Sequence, residues 1–308
     1  MMRKPAGPFP GLALEGKHPG KGHVHRSMAS THATPDHPAP TPRRWDLADI
    51  DFSAVDRQAL EGDALARPIV FLASLIETGS DVYAGNLAAY FSEDPELAGW
   101  LAQAWEPEEL QHGRALRAYV EHVWPEIDWQ RAYDAFFAEY SSTCTMDLLE
   151  PTRTLELAAR CMVETGTAAL YGALHRHARE PVLKDLAARI YADEVRHYKH
   201  FYRHFRRYQS REGHSRWRIA RTLFKRLRET RTGDGYHAFH GMGALGGGAS
   251  GSVESEYREF ARAFGEFVSA NAPRETTVRM GLRPLGLPAP VEEWAIRHSA
   301  PIYAWWTR

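Results

Sequence analysis

EELQH occupies residues 108–112 and DEVRH residues 193–197. In each, a glutamate stands three residues before a histidine, and a second acid comes directly before that glutamate. Residues three apart share one face of an α-helix, so Glu109 with His112, and Glu194 with His197, can reach a single point.

Working outward, both motifs lie on apolar stripes that step by three and four. One stripe runs Ala98, Ala102, Trp105, Glu109, His112, Leu116, Val120, and the other Leu183, Ala187, Ile190, Glu194, His197, Phe201, His204. Two more stripes carry a glutamate alone. Val70, Ala73, Glu77, Ser80, Ala84, Leu87, Phe91 is the first, and Leu157, Cys161, Glu164, Ala168, Tyr171 the second. Such periodicity marks the buried face of an amphipathic helix. A carboxylate buried there without a partner is costly. Four carboxylates and two imidazoles require a common compensation, and two divalent ions supply it. Oxygen ligands mixed with imidazole suit iron or manganese, and the lack of thiolates argues against structural zinc.

The order supports this. Glu77 leads Glu109 by 32 residues and Glu164 leads Glu194 by 30, each the length of a helical hairpin. IETGSDVYAG (76–85) and VETGTAALYG (163–172) form a faint internal repeat. One glutamate from each of two helices and Glu-x-x-His from two others is the ligand pattern of ferritin-like di-iron bundles. The expected fold is therefore all-α, a ferritin-like four-helix bundle with additional helices.

The spacing predicts helices over about 67–91, 95–123, 128–142, 151–179, 181–209, 214–231 and 254–270. Asp94-Pro95 and Glu180-Pro181 read as helix starts, and so does Glu150-Pro151. Pro107 should kink or restart the second helix. The expected organisation is a disordered tail over 1–44, the di-iron bundle over 45–232, a glycine-rich loop over 233–253, and over 254–308 a helix followed by irregular chain packed on the bundle. The tail holds His18, His23, His25, His32 and His37, and Met28 is an alternative start. The loop lacks a P-loop pattern.

The chain has 308 residues, 44% hydrophobic and 25% charged, with a formal net charge of −1. That balance implies no acidic or basic partner for the whole chain. Two cysteines, Cys144 and Cys161, do not make a disulfide framework and fit a reducing cytosol, so a cytoplasmic protein is expected. The longest apolar run, residues 68–76, is too short to span a bilayer, and no signal peptide is visible. Charge is uneven, however: residues 203–231 hold eleven Arg or Lys and two acids. Within them Trp217, Ala220, Phe224 and Leu227 are expected to dock on the bundle. The positive face, with Arg206, Arg207, Arg218, Arg221 and Lys225, is expected to steer an acidic acyl carrier protein. Nucleic acid and anionic membranes rank below it.

AWEPEELQHGRAL (104–116) and ADEVRHYKHFY (192–202) resemble segments of the soluble acyl-carrier-protein desaturases. The resemblance covers about residues 45–210. It implies that Glu77, Glu109, His112, Glu164, Glu194 and His197 ligate two irons, with Glu109 and Glu194 shared. It also implies that Thr167 lies near the oxygen site, and that Trp105 and Asp193 belong to an electron path, with Trp45 a weaker match. Asp193 or Glu108 would orient an imidazole. The implied chemistry is dioxygen-dependent hydrogen abstraction from an unactivated C–H bond, giving an alkene or an alcohol. The implied electron source is an external ferredoxin-like donor. Manganese–iron occupancy and a homodimer are also admitted. Two other readings stand beside this one: a di-iron oxygenase acting on a free small molecule or amine, and a ferritin-like iron-binding ferroxidase.

Overall fold

The computed structural model describes residues 44–243 and 253–300. Most of the predicted 1–44 tail, with its histidines, and the end of the C-terminal segment lie outside these residues. So does the stretch 244–252 of the glycine-rich loop.

The described residues are helical, with no strand among them. Four helical tracts carry the expected glutamates. The first is split into α1 (Ala66–Thr78) and α2 (Ser80–Tyr90). The second consists of α3 (Pro95–Trp100), a π-helical turn (Leu101–Trp105) and α4 (Glu106–Val123). The third and fourth are α6 (Arg153–His177) and α7 (Pro181–Glu212), and α5 (Trp129–Thr143) precedes them. α1 packs on α4, α6 on α7, and α4 also meets α7. Behind this bundle follow α8 (Arg216–Thr232), α9 (Asp234–Gly243), α10 (Val253–Asn271), α11 (Arg274–Leu282) and α12 (Ala289–Arg297). α8, α10 and α11 lean on α6, and α9 lies against α5 and α1.

Local chemistry explains the boundaries. Asp94 accepts from the Leu97 amide and Glu180 from the Val182 and Leu183 amides, each ahead of a proline in the first turn. α6 opens at Arg153 with Thr152 as its cap, two residues later than expected. Gly213, with φ of 64°, ends α7 in the left-handed region. Pro107 cannot donate to the preceding turn, and the helix widens into the π turn just before it. The widening shifts the helical phase. Ala102, expected inward, is exposed, while Leu97, Leu101 and Trp105 face the core.

Gly79 interrupts the first tract, whereas its repeat counterpart Gly166 lies inside α6 without a break. A Cβ at Gly79 would stand 3.1 Å from the Phe136 ring and 3.3 Å from Tyr140. Thr78 and Thr165, one residue earlier in each repeat, both bond the carbonyl four residues back, a habit that bends helices.

Three expectations need correction. Residues 234–243, expected in a loop, form α9, whose Gly241 sits against Ala132 and Phe136. Much of the expected irregular end is helical, because Pro273, Pro288 and Pro290 stand at helix starts rather than breaking helices. Finally, α8 docks through Ile219, Thr222 and Leu223, leaving Trp217 82% and Phe224 51% exposed.

The core is two apolar clusters. One gathers Ile69 to Leu75, Ala115 to Val123 and Ala169 to Ile190; the other gathers Ala84 to Trp105, Leu157 to Ala168 and Tyr198 to Leu223. On three tracts the change of cluster falls at Glu77, at Glu109–His112 and at Glu194–His197. On α6 it falls one turn after Glu164. The polar residues thus form a layer between two dry blocks.

Candidate metal centre

All six expected ligands meet in that layer. Glu77 and Glu109 are 7% exposed, Glu164 and Glu194 1%, His112 and His197 0%. One ligand atom each from Glu77, Glu109, His112 and Glu194 lies within 4.8 Å of the others. The same holds for Glu109, Glu164, Glu194 and His197. Two four-residue groups therefore share Glu109 and Glu194, the layout of two ions bridged by two carboxylates.

The inner atoms have no hydrogen-bond partner. Glu109 Oε1, Glu164 Oε2, Glu194 Oε1, His112 Nδ1 and His197 Nδ1 are all buried and unsatisfied. His197 Nδ1 stands 3.0 Å from Glu109 Oε1 and 3.6 Å from Glu164 Oε2, and His112 Nδ1 stands 3.2 Å from Glu194 Oε1. Buried polar atoms are seldom left unpaired. Five of them facing one another fit a pair of divalent cations, and the donor set suits iron or manganese.

Electrostatics without the metals show the strain. Burial and the neighbouring Glu194 hold the Glu109 carboxyl well above its usual range. Burial likewise raises Glu194 to about 7, against the pull of His112. His112 is raised to about 10: burial opposes its charge, but Asp193 and Glu194 outweigh burial. His197 is raised in the same way by Glu108, Glu109 and Glu164. Glu164 is lowered despite burial, because His197 and Arg160 favour its charge.

The outer imidazole nitrogens are held by the acids that precede each motif. His197 Nε2 lies 2.7 Å from Glu108 and His112 Nε2 lies 3.2 Å from Asp193. Arg196 spans both acids, donating to Asp193 at 2.6 Å and to Glu108 at 2.7 Å. Asp193 also accepts from the Trp45 indole at 2.8 Å, and Trp45 stacks over His112 with centroids 6.1 Å apart. Trp45, not Trp105, bonds Asp193, while Trp105 packs edge-on against Phe201 with its indole nitrogen unpaired.

Thr167 donates to Glu194 Oε2 at 2.5 Å, in preference to the Glu164 carbonyl at 3.2 Å. Three residues escaped the sequence reading. Tyr171 donates to Glu77 at 2.6 Å and was visible only as an inward apolar position. Arg196 and Arg160 were visible only as charges one turn from motif residues. Of the expected carrier-binding residues, Arg207 pairs with Asp94 and Glu96, and Lys225 pairs with Glu150 at 2.8 Å. Arg206, Arg218 and Arg221 are exposed, without an ion pair among the described residues.

No family model matches the chain, and no curated protein matches it. Among solved structures it is similar to R2-like ligand-binding oxidases with a reconstituted Mn/Fe cofactor. One, a Tyr-to-Phe variant, gives a TM-score of 0.44 at 13% identity, covering 85% of this chain and 88% of that one. A Val-to-Ile variant gives 0.43 at 14%, covering 85% and 89%. The likeness is distant, and the reading of the site rests on its own geometry. Among the described residues, no helix is long and apolar enough to cross a membrane.

Proposed function

We propose that the protein is an oxygen-dependent di-metal oxidoreductase, with Glu77, Glu109, His112, Glu164, Glu194 and His197 holding two irons or a manganese–iron pair. One observation carries this reading: five buried ligand atoms from three helices face one another with no hydrogen-bond partner. When bound, the metals supply dioxygen reduction coupled to substrate oxidation.

The surrounding residues have separable tasks. Glu108 and Asp193 fix the imidazole rings so that both Nδ1 atoms face inward. Tyr171 and Thr167 hold outer oxygens of Glu77 and Glu194, which orients those carboxylates. The Thr167 hydroxyl is also the proton carrier nearest the shared carboxylates. The apolar blocks on either side exclude water. Trp45, joined to His112 through Asp193, marks the route for electrons from a ferredoxin-like donor.

The proposed reaction is desaturation or hydroxylation of an acyl chain presented on acyl carrier protein. Desaturation removes two hydrogens from the chain. With two electrons from the donor and two protons from solvent, dioxygen leaves as two waters. Hydroxylation leaves one oxygen in the product. The exposed cations Arg206, Arg218 and Arg221 support an acidic carrier. Incubation with acyl carrier protein loaded with a saturated chain, reductant and dioxygen tests this reading. Loss of two hydrogens or gain of one oxygen on the carried chain supports it. An unchanged carried chain contradicts it.

A further inference from the structure

α8 (Arg216–Thr232) has two faces. Ile219, Thr222 and Leu223 are buried, and α8 packs through them on α6. The opposite side carries Trp217, Arg221, Phe224 and Arg228, at steps of four, three and four, which is one stripe of a helix. Trp217 is 82% and Phe224 51% exposed, and both arginines are exposed. Arg216, Arg218 and Lys225 are exposed beside them. Large apolar and cationic side chains thus alternate along a face turned away from the bundle.

The charge is one-sided. Residues 216–232 hold seven Arg or Lys and one acid, Glu229, which lies 3.8 Å from Lys225 and 3.5 Å from Arg226. Three more acids approach from outside α8. Glu150 reaches Lys225 at 2.8 Å, and Asp234 interacts with the half-buried Arg226. Glu212 is turned to His214 and the Thr154 amide. Seven cations therefore meet four acids, and no acid occupies the outer stripe. Among the described residues Arg216, Arg218 and Arg221 have no ion pair.

An anionic surface of any kind suits these arginines. The exposed rings select among such surfaces. Trp217 and Phe224 stand two turns apart, about 10 Å along the helix. Both project from its convex outer side, so a folded partner would need a pocket for each. A bilayer interface yields instead. The rings enter the boundary between headgroups and acyl chains, while the cations stay with the phosphates.

We infer that α8 is an interfacial helix that seats the protein on an anionic lipid surface, with Trp217 and Phe224 entering the bilayer interface and Arg218 and Arg221 on the lipid phosphates. Lipid binding goes beyond the metal-centre reading and does not depend on it. It takes Arg218 and Arg221, and leaves Arg206, on α7, for the carrier.

The test sediments full-length protein with sucrose-loaded vesicles of phosphatidylcholine, alone or mixed with phosphatidylglycerol, at low and high salt. At low salt the anionic vesicles should bind at least about tenfold more tightly than the neutral ones, and salt should weaken that binding. Trp217→Ala with Phe224→Ala should weaken it about tenfold and leave its salt dependence. Arg218→Glu with Arg221→Glu should weaken it about tenfold and flatten its salt dependence. All four residues are exposed, so circular dichroism should show wild-type helical content in both variants. No binding of wild type, equal binding to both vesicles, or wild-type binding by either variant would overturn the inference. Capture of acyl carrier protein or a single-stranded oligonucleotide through α8, without vesicle binding, would give the face to that partner and overturn it too. So would a dimer that the Trp217, Phe224 variant dissociates, formed by a chain that ignores vesicles.

Discussion

Glu108 on α4 lies 2.7 Å from Nε2 of His197 on α7, while Asp193 on α7 lies 3.2 Å from Nε2 of His112 on α4. The acid before each motif therefore orients the histidine of the other motif, and Arg196 ties the two acids together. Loss of such an outer partner weakens metal binding about ten- to a hundredfold. Asp193→Asn and Glu108→Gln should each show this in metal titrations, with helical content retained. Asp193→Asn should also free the Trp45 indole from its ionised partner, which tryptophan fluorescence would report.

Metal uptake should displace protons. Without metal, His112 is raised to about 10 and His197 is raised well above its usual value, so both are protonated at neutral pH. The ligand forms are neutral imidazole and ionised carboxylate, so binding must release at least the two histidine protons near pH 7, with more from Glu109 and Glu194, whose carboxyls burial also raises. Affinity should fall steadily as pH falls. Glu194, at about 7, adds to the loss below neutrality. Calorimetry in buffers of different ionisation enthalpy counts the protons.

Gly113 allows α1 and α4 to touch. A Cβ there would stand 2.7 Å from the Thr78 amide nitrogen and 2.8 Å from its Cα. Backbone cannot swing aside as a long side chain does. Gly113→Ala should therefore cost about 1–3 kcal/mol of unfolding free energy. By pushing α1 outward it should also draw Glu77 from His112, weakening one metal more than the other. Gly166→Ala, with open space around its Cβ, is the matched control.

His204 is 1% exposed and lowered to about 4, by burial first and then by Arg207 and Arg203, against Glu96 and Asp94. The unfolded chain takes up this proton near 6.5, before the folded one does. Stability is therefore fully present above about 6.5 and is lost as pH falls towards about 4. The loss is about 1–2 kcal/mol, given the partial solvent access of its charged neighbours. Denaturant titrations at pH 7 and pH 5 should show a smaller drop in His204→Gln than in wild type.

The ligand layer was legible in the sequence because burial of carboxylates violates an otherwise regular apolar period. Glu77 and Glu164 were found by that violation together with their spacing from the paired motifs and the repeat around them. The π turn was signalled by Pro107, but its phase shift was not. Proline announces a missing donor without saying how the chain absorbs it, so Ala102 was placed inward. α8 was misjudged for a related reason. Trp217 and Phe224 form as good a stripe as Ile219 and Leu223, and only packing against α6 chooses between them. Tyr171 acts on Glu77 across two helices, a contact that helical period does not encode; Arg160 pairs with Glu164 one turn along its own helix, a spacing the sequence did show.

The most direct measurement is metal per chain after anaerobic reconstitution with ferrous iron. It is made on wild type and on the Glu109→Ala, Glu194→Ala double variant, which removes both shared carboxylates. The two-metal account predicts about two irons per wild-type chain and their loss in the variant. Equal metal in both proteins, or none in either, would contradict it. The six buried residues would then be a polar network rather than a metal centre.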